Sequence, residues 1–248
     1  MRTRVRLLIL AGCASAVTSV AAGAPAMLRR FDSFKVQRVE IRGTKYFAPY
    51  DALMQTGITR TSNVFDDFEP WQTRLLRHPM VLDAKIERAL PNTIKVEITE
   101  AEPIALIRTP DLRVIDARAR VLPVDPAAID LDVPVLAFGS TEDADGYFKD
   151  AKTKTAVAML QMLRTRDARL YSWISEIGPA GTGGMMLRLR QPNGARVLVS
   201  ANPRDIRLHE LEIALADLSV RGELNQLKSI DARFRDQIVV SLRSGERN

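Results

Sequence analysis

From Thr93 to Thr99 the chain alternates strictly, with Ile94, Val96 and Ile98 apolar and Lys95 and Glu97 charged between them. Successive side chains of a strand point to opposite faces, so this pattern demands a sheet with one buried and one wet side. Residues 80–88 predict a second strand with Ala84 and Ile86 on one face, and Leu90-Pro91-Asn92 supplies the turn between the two. Upstream, residues 34–42 read as a strand in which Phe34 and Val36, then Val39 and Ile41, are spaced two apart. The phase change between Val36 and Val39 predicts a bulge or a late strand start, and Gly43 ends the run.

Two helices fit between these strands. Pro49 suits the first turn of a helix over 49–55, with Gly57 as its C-cap. A second helix is expected over 67–77, N-capped by Asp66 or Asp67, with Phe68, Trp71, Leu75 and Leu76 as its apolar stripe. His78-Pro79 stops it. The order β-α-α-β-β predicts a three-stranded sheet covered by two helices, and Glu102-Pro103 marks the next boundary.

The remainder reads as a β-rich domain with two helices. Residues 104–136 are short apolar pieces broken by Pro110, Pro123, Pro126 and Pro134. Residues 151–166 form an amphipathic helix with Ala156, Met159, Leu160 and Leu163 inward, so Met159 and Met162 read as core filler. Strands are expected at 174–177, 185–189 and 196–199, then a helix over 203–218 with Leu208, Leu211, Leu215 and Leu218 inward. Strands over 229–233 and 237–242 close the chain, paired across Phe234-Arg235-Asp236.

The N-terminus decides the compartment. An uncharged run over 7–28 lies between Arg2, Arg4 and Arg6 on one side and Arg29 and Arg30 on the other. As a helix it would rise about 33 Å, enough to cross a hydrocarbon core of about 30 Å. An uncleaved signal-anchor is the favoured reading, which makes 1–30 a short cytoplasmic tail and transmembrane segment. A cleaved signal peptide, cut after Ala22-Gly23-Ala24, and a lipoprotein anchored at Cys13 are the alternatives. All three export the chain from residue 31 onward.

Chemistry-bearing patterns point away from catalysis. Cys13 is the single cysteine, so no intramolecular disulfide or Cys-based zinc site can form. The two histidines, His78 and His209, belong to no paired-His pattern. Gly181-Thr182-Gly183-Gly184 runs into a strand pattern and reads as a hairpin turn rather than a phosphate loop. Asp66, Asp67 and Glu69 read as helix-start acids rather than a cation site. The net charge of +6 is scattered among acids with no aromatic interleaving, so no nucleic-acid partner is expected. Neither a catalytic residue, a metal nor a cofactor is assigned.

The stretch Pro79-x-Val81-x-x-Ala84-x-Ile86-x-Arg88-x-x-Pro91-x-Thr93-Ile94-x-Val96-x-Ile98-x-Glu100 resembles the closing hairpin of POTRA domains, and residues 34–43 resemble the opening strand. Glu100-x-x-Pro103-Ile104-Ala105 resembles the junction of the FtsQ/DivIB cell-division family. Arg207-Leu208 and Ile230-Asp231-x-Arg233-Phe234 are similar to segments of that family's second domain. The resemblance implies an α+β chain: a transmembrane helix, a POTRA domain over 34–102 and an FtsQ-type β domain over 103–244. It departs from the family in the short segment before the apolar run and in Arg118-Ala119-Arg120, which replaces an acidic-Gly turn. It departs also at Ala232 and Phe234, where Leu and Tyr are usual.

What the resemblance implies is a non-enzymatic division scaffold of the inner membrane, enriched at the septum. Such a protein holds FtsB- and FtsL-like partners beside the peptidoglycan synthesis machinery. Residues 237–242 are uncharged and β-prone, and as an edge strand they would offer unpaired backbone to another chain. Arg233, Phe234, Ile238, Val239 and Val240 are the candidate partner-binding residues. The alternative is a POTRA-bearing transport or outer-membrane assembly factor working with a separate barrel.

Overall fold

A computed structural model describes residues 27–29, 31–181, 183–192, 194–202 and 207–243. The expected anchor over 7–28, the cleavage and lipidation alternatives, Thr182 and the start of the helix expected at 203 lie outside or at the margin of these residues. Among the described residues no helix is long and apolar enough to cross a membrane. The fold is mixed α/β and divides into two compact units between Glu100 and Ala101.

The first unit runs β1 (Arg38–Arg42), α1 (Pro49–Thr56), α2 (Glu69–Leu76), β2 (Val81–Ala89) and β3 (Thr93–Glu100). Its sheet has the order β1-β3-β2, with β3 parallel to β1 and antiparallel to β2. Ile94, Val96 and Ile98 are buried, as are Ala52, Trp71 and Leu75 of the two helices. On the wet face the register sets Lys95 opposite both Glu40 and Glu87, and Glu97 opposite both Arg42 and Lys85. Opposite charges alternate across three strands, which keeps that face soluble without a net field.

Local details show why the helices end where they do. Gly57 adopts φ +72° as the C-cap of α1, and Arg74 Nε donates to the Thr56 carbonyl at 2.7 Å. The helix α2 starts at Glu69, two residues later than expected, because Asp67 Oδ1 takes the Glu69 amide at 3.0 Å and Asp66 Oδ2 takes that of Asn63 at 2.7 Å. Both acids therefore shape the loop before the helix. Leu76, expected inward, is exposed, because Phe68, Trp71 and Leu75 already define the inner stripe and Leu76 lies about 100° further round the helix. The first strand starts late, at Arg38, after a 3₁₀ turn over Asp32–Phe34.

Among the described residues the second unit is built on one nine-stranded sheet. In chain order its elements are β4 (Pro103–Thr109), β5 (Asp111–Asp116), β6 (Val121–Leu122), β7 (Val135–Leu136), α3 (Ala151–Arg166), α4 (Ala168–Trp173), β8 (Ile174–Pro179), β9 (Met185–Leu189), β10 (Arg196–Val199), α5 (Leu208–Val220), β11 (Leu227–Asp231) and β12 (Val239–Leu242). The strand order is β12-β11-β10-β9-β8-β7-β4-β5-β6. Ala156, Met159, Leu160 and Leu163 of α3 and Leu211, Leu215 and Leu218 of α5 are buried in its core. Met162 packs at the margin of that core.

The sequence predicts two helices in this unit, and three α-helices are present among its described residues. Six residues make under two turns, too few for apolar periodicity to mark α4 in the sequence. Its start is set by Asp167, whose Oδ1 takes the Leu170 amide at 2.8 Å, and Tyr171 Oη donates to the Ile104 carbonyl at 3.1 Å. The segment Gly181–Gly184 does connect an antiparallel pair, β8 and β9.

Candidate partner-binding edge

The edge begins with a core row. Cross-strand register aligns Ile107, Leu136, Ile177, Leu187, Val197, Ile230 and Val240 on seven successive strands from β4 to β12. The first six are buried to within 1% of full exclusion, and Val240, the seventh, is 38% exposed. The row does not end in a polar residue. It stops because the sheet stops.

Among the described residues β12 pairs with β11 alone, antiparallel, with Asp231 opposite Val239 and Ile230 opposite Val240. An edge strand keeps every second N–H and C=O directed away from its neighbour. This one carries Val239, Val240, Ser241 and Leu242, with no charge, proline or inward-pointing lysine of the kind that blunts natural edges. Val239 and Leu242 are exposed as well.

The five candidate residues divide into two groups. Phe234, Val239 and Val240 are exposed along the hairpin and its outer strand, whereas Ile238 packs against the core from a half-buried position. Arg233 is turned inward on its own chain. Its Nε and Nη2 donate to Asp231 Oδ1 and Oδ2 at 2.9 and 2.6 Å, and Nη1 donates to the Gly183 carbonyl at 3.1 Å. This fork holds the Asp231 carboxyl below its ordinary value, chiefly through the side-chain hydrogen bonds from Arg233. Both strands stop two residues short of the turn expected between them: β11 is shifted to end at Asp231 and β12 is shortened to begin at Val239, because residues 232–238 are shaped by these local bonds.

Two residues at this edge were not among the candidates. Leu242 lies on the same side of β12 as Val240, a placement that period-two spacing could have supplied. Arg207, beside the start of α5, reaches the same hairpin through hydrogen bonds that no sequence spacing reveals.

Elsewhere in this unit an open cavity of about 470 Å³ lies where the two-residue β7 leaves the sheet, lined by Arg108, Val135, Leu136, Phe138 and Glu176 among others. Glu176 Oε2 there accepts from Arg188 Nε at 3.1 Å. No cluster of three or more His, Cys, Asp or Glu suited to a metal ion occurs among the described residues.

Comparison with known proteins begins with the first unit. Residues 34–101 match the family described as POTRA domain, FtsQ-type, so the chain is a POTRA-domain protein. Over more of its length it is similar to proteins named Cell division protein FtsQ. That of Syntrophotalea carbinolica is 26% identical over 234 residues, covering 93% of this chain and 82% of the other. That of Myxococcus fulvus is 23% identical over 209 residues, covering 82% and 71%. Domain and relatives agree: the chain carries an FtsQ-type POTRA domain and is similar to FtsQ cell-division proteins over most of its length. A solved structure of the major extracytoplasmic domain of the trans isomer of DivIB from Geobacillus stearothermophilus aligns with a TM-score of 0.30 at 20% identity, over 47% of this chain and 93% of that one.

Proposed function

We propose that this chain is a cell-division protein, a non-catalytic divisome scaffold of the inner membrane. Its apolar N-terminal run anchors it, and its exported part holds FtsB- and FtsL-type partners beside the septal peptidoglycan synthesis machinery. In this reading residues 34–102 are the POTRA domain and 103–244 the FtsQ-type β domain. The partner adds a strand to β12, contacting Phe234, Val239 and Val240, while Ile238 and Arg233 support the strand from behind.

One observation carries the reading: an apolar row, buried through six strands, reaches the last strand at a half-open Val240. A further strand with an apolar residue opposite Val240 would complete the row and take up the outward backbone groups of β12. The test is photo-crosslinking in the native host from positions 234, 239 and 240 of the full chain. The expected product is an FtsB- or FtsL-type protein, with filamentous cells on depletion of the chain. Normal septation after depletion, or adducts to an outer-membrane barrel instead, would sink the proposal.

A further inference from the structure

The connection between β11 and β12 spans residues 232–238, yet it is tied down from two sides. One tie is the Arg233 fork onto Asp231 and Gly183. The other comes from the helix side. Arg207 Nη1 donates to the Phe234 carbonyl at 3.2 Å and approaches the Gln237 carbonyl at 3.5 Å. Its Nε and Nη2 both meet Glu210 Oε1 at 3.0 Å, so the guanidinium is fixed from behind while its remaining corner grips the turn.

We infer that Arg207 is a positioning residue for the partner-binding edge, a clasp that sets where β12 leaves the turn and keeps it on the sheet. The inference rests on the docking reading above. With four residues and, among the described residues, one neighbouring strand, β12 is held chiefly by its ladder to β11. The carbonyls of Phe234 and Gln237 lie in the turn just before it, so fixing them limits the conformations from which the strand must order. A strand already ordered spares its partner that ordering on binding. The Arg207 side chain is three-quarters shielded, at 25% exposure, so its effect passes through the turn it grips. Lysine has no fork and cannot meet Glu210 and the turn in the same geometry.

The test is hydrogen exchange on the full chain in lipid nanodiscs, read at amides 237–242, alongside affinity for the purified FtsB-type partner. The variants are Arg207→Ala, Arg207→Lys and, as control, Arg221→Ala, which breaks only the Arg221–Asp217 pair at the far end of α5. The clasp predicts exchange at least tenfold faster at 237–242 in Arg207→Ala, part-way in Arg207→Lys and unchanged in Arg221→Ala. Affinity should fall in the same order. Unchanged exchange overturns the inference, as does uniform acceleration across the whole β domain. Lost affinity with unchanged exchange also overturns it, because Arg207 would then touch the partner itself. Faster exchange with full affinity leaves the clasp standing and removes the docking reading instead.

Discussion

Gly43 lies directly beneath the carbonyl oxygen of Ile98, in a position where any Cβ would collide with that oxygen. It also adopts φ +82°, so both space and backbone conformation reserve the site for glycine. The turn after β1 therefore passes close to the back of β3, and the amides that follow are collected by the end of that strand. Glu100 Oε2 and Oε1 accept from Tyr46 and Phe47 at 3.0 and 2.7 Å.

Gly43→Ala should therefore destabilise the POTRA unit by roughly 2–4 kcal/mol, the sum of a left-handed backbone penalty and an overpacked contact. Urea unfolding followed through Trp71 is the measurement. An effect below about 0.5 kcal/mol would show that the turn moves freely away from Ile98.

The turn Arg118-Ala119-Arg120 makes a second, opposite case. Ala119 adopts φ +58° and is buried, while Asp116 Oδ1 accepts the Arg118 and Arg120 amides at 2.8 and 2.9 Å. Glycine at 119 would relieve about 1–2 kcal/mol of backbone strain but surrender about 0.8 kcal/mol of methyl burial, so Ala119→Gly should fall within about 1 kcal/mol of neutral. Asp116→Ala, which strands two amides, should cost about 1–3 kcal/mol or more. Thermal unfolding should rank Asp116→Ala well below Ala119→Gly in stability, and the reverse order would contradict the turn's geometry.

Proline at Val239 or Val240 removes one of two adjacent amides that point to opposite sides of β12. One substitution strikes the ladder to β11 and the other the free edge. Both should weaken partner binding by about 1 kcal/mol or more, roughly fivefold, with the POTRA unit unaffected. Calorimetric titration with the proposed FtsB-type partner checks this. Wild-type affinity in both variants would end the edge-strand mechanism.

The Asp231–Arg233 fork sets a pH window. Because the folded carboxyl titrates below its ordinary value near 3.9, its stabilisation is complete above that value and drains away as pH falls through the lower folded one. Nuclear magnetic resonance of residues 227–242 should thus show no change from pH 8 to 5 and loosening of the hairpin below about pH 4. Asp231→Asn should be loosened already at pH 7 and lose that acid dependence.

Much of the first unit was legible in the chain because its signals are local. Strict alternation at 93–99, proline and glycine at the ends of α1, and the proline turn at 90–92 each act within a few residues. The late start of β1 was legible too, in the broken phase after Val36. The outward turn of Leu76 and the helix at Ala168–Trp173 were not, since one depends on where the packed face ends and the other is too short to show a period.

The same division runs through the candidate site. Sequence by itself determined that residues 239–242 are uncharged, β-prone and able to pair, because those properties belong to the side chains. That they form the last strand of nine, that Val240 continues a row begun at Ile107, and that Arg207 and Arg233 fasten the turn were decided by tertiary structure alone. Strand order and clasping bonds join residues tens of positions apart, and their geometry exists once the sheet has assembled.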